Sequence, residues 1–384
     1  MENISYRDLW ITEFEKFMGD AQRRNPVDEW KYLISQEETV YIYGAGHLGK
    51  VLASCLHKCG QSVTAFVDRD PEKKNREIVF GIHCILPEQM KKHALILIAV
   101  EEGNQLARDL CQSYSNKVYN ASNLAWLKIN KVGEMMHWSH EKLEEIKKRT
   151  GRVFDMLDDL SSQKTYYYIL RGIFLEKPYH DSFQYSFCDR NEYFRKEIFK
   201  SEYAKNFVDC GAYEGDTFEE YLNFVGRNFE AAYLFEMGAQ SADVLRKNVM
   251  AKELAVANKT HIFCMGVYDH AVEMMTTDSV HEGMKVVDGS GNQKQYLDAL
   301  DHCLADKIVD FIKMDIEGSE MAALRGAKNL IQRHKPDLAI CIYHKVEDLW
   351  EIPEYIRQIE PGYHLYIRHC SHYDQDMILY ATIR

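Results

Sequence analysis

Phe207-Val208-Asp209-Cys210-Gly211-Ala212-Tyr213-Glu214-Gly215-Asp216-Thr217 decides the fold. A short apolar run enters a turn holding two glycines, and Phe218, Tyr221, Leu222 and Val225 then follow at helical spacing. Strand, glycine turn and helix in that order open a βαβ unit. In an open α/β sheet such a turn lies at the carboxyl ends of the strands, where ligands bind near the topological switch point. Gly211 would let backbone approach a ligand closely, and Gly215 would relieve crowding at the helix start.

Downstream, short apolar runs alternate with helical patterns: Ala232 to Phe235, Ile262 to Met265, Val309 to Met314 and Leu338 to Tyr343. This alternation predicts a mostly parallel sheet covered on both faces. His364 to Arg368 and Met377 to Ala381, separated by polar residues, predict an antiparallel hairpin at the sheet's end.

Three further strand ends carry chemistry. Glu236 follows Gly215 by about 20 residues, the separation at which an acid accepts hydrogen bonds from ribose hydroxyls in dinucleotide folds. Phe311-Ile312-Lys313-Met314-Asp315-Ile316-Glu317-Gly318-Ser319-Glu320 crowds carboxylates at a helix start, where Glu320 reads as a capping residue and Asp315 as a ligand-facing one. Ile342-Tyr343-His344-Lys345 brings an imidazole able to accept a proton from a hydroxyl to the same sheet edge. Negative charge at Asp209 and Glu214 disfavours a pyrophosphate and suits a cationic or hydroxyl-bearing ligand; S-adenosylmethionine, with its sulfonium and ammonium, fits. Asp315, Glu317 and His344 offer hard oxygens and one imidazole, a set suited to magnesium or manganese, although their spacing alone assigns no metal site.

The N-terminal half repeats the strand–turn–helix pattern. Val40-Tyr41-Ile42-Tyr43 leads into Gly44-Ala45-Gly46-His47-Leu48-Gly49 and a helix from Lys50 to Lys58, with Asp68 about 20 residues after Gly49. Gly44, Gly46, Gly49 and Asp68 form a candidate second site for a nucleotide or nucleotide-sugar. Strands from Ser62 to Val67 and Leu95 to Val100 complete a small module of three or four strands, and Asp70, Lys73 and Lys74 read as a solvated turn. The plan is a helical arm at 1–36, a Rossmann-like domain at 37–125, a helical connector at 126–200 with a packing seam at Tyr166-Tyr167-Tyr168, and a catalytic domain at 201–384. The fold class is α/β, with two three-layer domains.

Composition narrows the function classes. The 384 residues are 46% hydrophobic and 28% charged, the profile of a packed globular protein. A net charge of −12 argues against a nucleic-acid partner or an anionic membrane. Ten cysteines with no C-x-x-C pattern suit a reducing compartment, so the expected location is cytoplasmic. The longest apolar run, Ala94 to Val100, falls far short of the roughly 18 residues of a membrane span.

The motifs around Asp209-x-Gly211, Asp315-Ile316-Glu317-Gly318 with Gly326-Ala327, and Pro336 through Tyr343-His344-Lys345 resemble, in order, those of the FkbM-type S-adenosylmethionine-dependent methyltransferases. Tyr366-Ile367-Arg368-His369-Cys370-Ser371 with Leu379-Tyr380-Ala381 is similar to that family's closing hairpin. The resemblance covers about 200–384. It implies a class I methyltransferase fold and methylation of a hydroxyl on a sugar, glycan or related small molecule. By it, Asp209, Gly211, Tyr213, Gly215, Glu236 and Asp315 bind the cofactor, while His344 and Asp315 are the catalytic candidates, with Glu317 and His369 beside them. Two other readings are an NAD(P)- or nucleotide-sugar-dependent oxidoreductase or epimerase run by the first domain, and a non-catalytic carbohydrate-binding protein. Oligomeric state is not legible.

Overall fold

The structure, a computed structural model, describes residues 5–19, 26–100, 106, 109–110, 113–114, 117–121, 139–175, 193–276, 286–287, 293–370 and 377–384. The chain divides into two compact units, one of Met1–Asp155, Gln163–Cys188 and Ser371–Gln375, the other of Met156–Ser162, Asp189–Cys370 and Asp376–Arg384.

The first unit begins with helices α1 (Tyr6–Gly19) and α2 (Pro26–Ser35). Its sheet contains β1 (Val40–Tyr43), β2 (Ala65–Val67), β3 (Glu77–Val79), β4 (Ile82–Ile85), β5 (Leu95–Ile98) and β6 (Val118–Asn120), in spatial order β3-β4-β2-β1-β5-β6. All neighbours are parallel except β3 and β4, which meet antiparallel. The sheet thus has six strands where sequence suggests three or four. The additions are only three or four residues long, too short to show a period.

Side-chain alternation explains why β1 and β5 read as unbroken apolar runs. Val40, Ile42, Leu95 and Leu97 pack with Leu52 and Leu56 of α3 (His47–Lys58) in one core, while Tyr41, Tyr43, Ile96 and Ile98 join Val67, Met90 and Val118 in another. Helices α4 (His140–Met156) and α5 (Leu160–Phe174) follow. Trp10 of α1 is fully buried, donates from Nε1 to Thr150 Oγ1 at 2.8 Å and packs against Phe14 and Phe174. Tyr166 meets Phe154 edge-on, and the Tyr167 hydroxyl donates to Glu13. Residues 126–138 and 176–192 of the expected connector lie outside the described residues.

The second unit holds a seven-stranded sheet in the order β16 (His364–His369), β17 (Met377–Thr382), β15 (Asp337–Cys341), β14 (Phe311–Met314), β7 (Asn206–Cys210), β8 (Ala231–Phe235) and β9 (Thr260–Phe263). In chain order its elements start with β7 (Asn206–Cys210), α6 (Asp216–Phe224), β8 (Ala231–Phe235), α7 (Ala239–Met250), α8 (Leu254–Ala257) and β9 (Thr260–Phe263). A four-stranded side sheet follows, made of β10 (Gly266–Val267), β11 (Val272–Thr276), β12 (Val286–Val287) and β13 (Gln293–Asp298), with no counterpart in the sequence reading. Its strands are short, and Gln293-Lys294-Gln295 is polar throughout, so neither length nor apolar alternation marks them. The main sheet resumes through α9 (Leu300–Cys303), β14 (Phe311–Met314), α10 (Glu320–Gly326), α11 (Lys328–His334), β15 (Asp337–Cys341), α12 (Asp348–Ile359), β16 (His364–His369) and β17 (Met377–Thr382).

Strands β9, β8, β7, β14 and β15 are mutually parallel, and β17 runs antiparallel to both β15 and β16. After β7 the chain builds β8 and β9 on one side and returns to place β14 on the other. The switch point therefore lies between the carboxyl ends of β7 and β14. Among the described residues no helix is long and apolar enough to cross a membrane.

Candidate active site

Four parallel strands end at one edge in polar or glycine residues: β8 in Glu236, β7 in Gly211, β14 in Asp315 and β15, two residues on, in Tyr343 and His344. At the switch point Gly211 has φ +83°, and a Cβ there would lie 1.9 Å from the carbonyl oxygen of Asp315. The chain needs glycine at that crossing. Gly215, at φ +96°, precedes α6 and faces Leu245. Between them Tyr213 takes a left-handed φ of +43° and is 52% exposed, presenting its ring to solvent. Gly326 of the quoted motif is a packing glycine, since a Cβ would lie 2.0 Å from the Tyr268 carbonyl oxygen.

Glu236 ties the loop in place. Its Oε2 accepts from the Tyr213 amide at 2.9 Å and its Oε1 from the Gly238 amide at 2.6 Å. Burial raises its carboxyl above the ordinary value, with the two amides pulling it back. One backbone donor on each oxygen leaves acceptor capacity on both.

Asp209 is fully buried, and its Oδ1 stands 3.0 Å from Lys313 Nζ. The two residues are register partners on adjacent strands. Burial pushes the Asp209 carboxyl up to about 6 against the pull of Lys313. Lys313, itself buried, also donates to the Gly211 carbonyl at 2.7 Å, while Asp209 and Asp315 together outweigh its desolvation and hold it charged. Sequence reading treats Asp209 as a ligand contact and misses this pair. Its signal is a single charged residue at the penultimate position of each of two otherwise uncharged strands.

The acceptor side is a dense polar cluster. Asp315 accepts from the Tyr343 hydroxyl on Oδ1 at 3.1 Å and from the Tyr193 hydroxyl on Oδ2 at 3.0 Å. Burial acts to raise its carboxyl, but His344, Lys313 and the two phenols outweigh that and lower it. His344 Nε2 lies 3.5 Å from Asp315 Oδ1 and 3.6 Å from Glu317 Oε2, and Nδ1 lies 2.9 Å from Glu320 Oε1. Burial opposes a charged imidazole, but Glu320, Asp315 and Glu317 prevail and raise it to about 9. Glu320 is fully buried and accepts from the Ile316 amide, as a residue capping the turn would, yet it also faces His344. Lys345 donates to the Gly318 carbonyl. Tyr193 is invisible to local reading because it comes from a turn far upstream. His369 ends β16 opposite Met377.

The N-terminal turn has the same construction. A Cβ on Gly49 would lie 1.9 Å from the Gly44 carbonyl oxygen, Gly44 has φ +113°, and a Cβ on Gly46 would meet nothing within 4 Å. Asp68 accepts from the Ala45 amide on Oδ2 and the Asp70 amide on Oδ1, both at 3.0 Å. Lys73 is not merely part of a solvated turn, for its Nζ pairs with Asp68 Oδ2 at 2.8 Å, and Asp70 caps the short helical turn after it. Burial would raise the Asp68 carboxyl, but Lys73 and the two amides leave it lowered.

Residues 209–368 match the model of the methyltransferase FkbM domain. The crystal structure of methyltransferase FkbM from Methylobacillus flagellatus KT is similar over 98% of this chain and 99% of that one, with 20% identity and a TM-score of 0.66. At that identity the likeness is one of fold. An rRNA methylase from Streptococcus thermophilus matches over 50% of this chain and 91% of its own, with 15% identity and a TM-score of 0.31. No curated protein matches the sequence. With the glycine turn, the strand order and the family motifs coinciding in residues 209–368, the chain carries an FkbM methyltransferase domain and is a methyltransferase.

Proposed function

We propose that the chain is an S-adenosylmethionine-dependent O-methyltransferase acting on a hydroxyl of a sugar, glycan or related small molecule, with 201–384 as its catalytic domain. The observation that carries this reading is the meeting at one sheet edge of Glu236, with acceptor capacity on both oxygens, and the cluster of Asp315, Tyr343, Glu317 and His344. Gly211, Tyr213, Gly215, Glu236 and Asp315 are the proposed cofactor residues, while Asp209, with no exposed surface and paired to Lys313, supports the loop from the core. Glu236 fits a ribose diol, and the half-buried carboxylates suit a ligand bearing positive charge.

Bound S-adenosylmethionine supplies a methyl carbon on a cationic sulfur. The chain's own work is alignment of an acceptor oxygen with that carbon and acceptance of the hydroxyl proton. Asp315 and His344 are proposed for the acceptor side: the Tyr193 and Tyr343 hydroxyls hold the Asp315 carboxylate in one orientation, and His344, held charged by the carboxylates around it, accepts a proton only after giving up its own.

Thermal unfolding with S-adenosylhomocysteine, S-adenosylmethionine and NAD tests the cofactor. A rise with both adenosyl ligands, absent in Glu236→Ala, is expected. No rise with either in the wild type would end the reading, and methyl transfer to a panel of sugars then tests the acceptor class. A nucleotide or nucleotide-sugar at Gly44, Gly46, Gly49 and Asp68 is proposed for the 37–125 module, supported by the open space at Gly46. Titration with NAD and a uridine diphosphate sugar checks it, and no heat with either would count against it.

A further inference from the structure

His344 is the side chain most at odds with a purely structural role. It is 6% exposed, and neither ring nitrogen makes a hydrogen bond among the described residues. Nε2 stands 3.5 Å and 3.6 Å from carboxylate oxygens of Asp315 and Glu317, too far for hydrogen bonds. Those separations match another geometry. Two ligands about 2.1 Å from one cation stand roughly 3.0 to 3.4 Å apart in octahedral or tetrahedral coordination. Asp315 and Glu317 thus approach the same ring nitrogen at separations slightly longer than those of two ligands on one cation.

The surroundings fit a metal centre. Glu320 is fully buried, with Oε1 2.9 Å from His344 Nδ1 but without hydrogen-bond alignment, and its Oε2 has no hydrogen-bond partner among the described residues. A carboxylate behind the far nitrogen of an imidazole, once aligned to accept its N–H, is the arrangement that orients metal-binding histidines. The Tyr193 and Tyr343 phenols fix the Asp315 carboxylate while leaving it lone pairs. Asp315, Glu320 and His344 each bring a ligand atom within 4.8 Å of the others, so the carboxylate behind the imidazole belongs to the same compact group, and Glu317 reaches it through its 3.6 Å approach to His344 Nε2.

We propose that Asp315, Glu317 and His344 bind one divalent cation at the carboxyl ends of β14 and β15, with Glu320 as the positioning residue behind His344. Two hard carboxylates and one imidazole suit manganese or magnesium. The cation's role, ligating the acceptor hydroxyl and easing loss of its proton, rests on the methyltransferase reading; its binding does not.

The test uses the full chain, stripped with EDTA and titrated with manganese while electron paramagnetic resonance reads free ion. Tight binding of a single equivalent is expected, weakened by about tenfold or more in Glu317→Gln and His344→Gln. Glu317 is partly exposed, so its variant keeps the test informative should the buried one fail to fold. Absence of tight binding by the wild type, or unchanged affinity in Glu317→Gln, would overturn the proposal. Stabilisation by S-adenosylhomocysteine is measured on the same samples. Its persistence without manganese binding removes the metal and keeps the function; manganese binding without it does the reverse.

Discussion

Gly211 and Asp315 cross so closely that a Cβ on the glycine would lie 1.9 Å from the aspartate's carbonyl oxygen. The clash is with backbone, which has no rotamer to yield, and φ +83° adds strain for any other residue. Gly211→Ala is expected to cost several kcal/mol, about 2 to 4, read as a lowered melting temperature. Gly46→Ala is the contrast, with open space around it and an ordinary φ of −86°. It should melt within a few degrees of wild type, whereas a loss as large as that of Gly211→Ala would refute the local geometry.

Removing one charge of the Asp209–Lys313 pair strands the other in the core. Asp209→Asn should lose about 3 to 5 kcal/mol in urea unfolding. The double variant with Lys313→Met should recover part of that loss, because no uncompensated charge then remains. Lys313→Met alone completes the cycle, and single losses that add up to that of the double variant would show that the pair is not coupled.

Asp337 supplies a pH prediction. It is 1% exposed, and burial pushes its carboxyl from 3.8 up to about 6, with Thr382 and Arg384 pulling back. A raised acid favours its protonated form in the folded chain, so its contribution is full below the unfolded value and is lost as pH rises through about 6. Asp337→Asn stays neutral. Its stability relative to wild type should therefore grow between about pH 4 and pH 7, by on the order of 2 to 3 kcal/mol; a pH-independent difference would contradict this.

Trp10 joins α1 to α4 through Thr150 and to α5 through Phe174. Trp10→Ala should cost about 3 to 5 kcal/mol, and loss of residues 1–19 should lower stability by at least as much. Urea midpoints unchanged by either would mean that the arm only rests on the unit.

Much of the fold is legible because buried parallel strands read as apolar runs ending at glycine or acid. Val40–Tyr43 and Phe311–Met314 are examples. The shared sheet edge of Gly211, Glu236, Asp315 and His344 follows from parallelism alone. Distances do not. Whether His344 meets Glu320 or Asp315 depends on the loop after β15, and Tyr193 reaches Asp315 from a segment with no motif. Lys313 is hidden for a different reason: inside Phe311-Ile312-Lys313-Met314 it reads as an interruption, and only its register opposite Asp209 turns it into a partner. Lys73 likewise gains its meaning from Asp68, five residues away, rather than from its own loop.

Strand β17 lies between β15 and β16, although it follows both in sequence. During synthesis β16 leaves the ribosome before the strand that must separate it from the rest of the sheet. Docking directly onto β15 would occupy that slot and leave β17 outside. Chain order and spatial order therefore conflict at this edge, and β17 can take its place only where β16 has not already paired with β15. A chain truncated between residues 369 and 377 should hold an incomplete domain, because the strand that separates β16 from β15 is then missing.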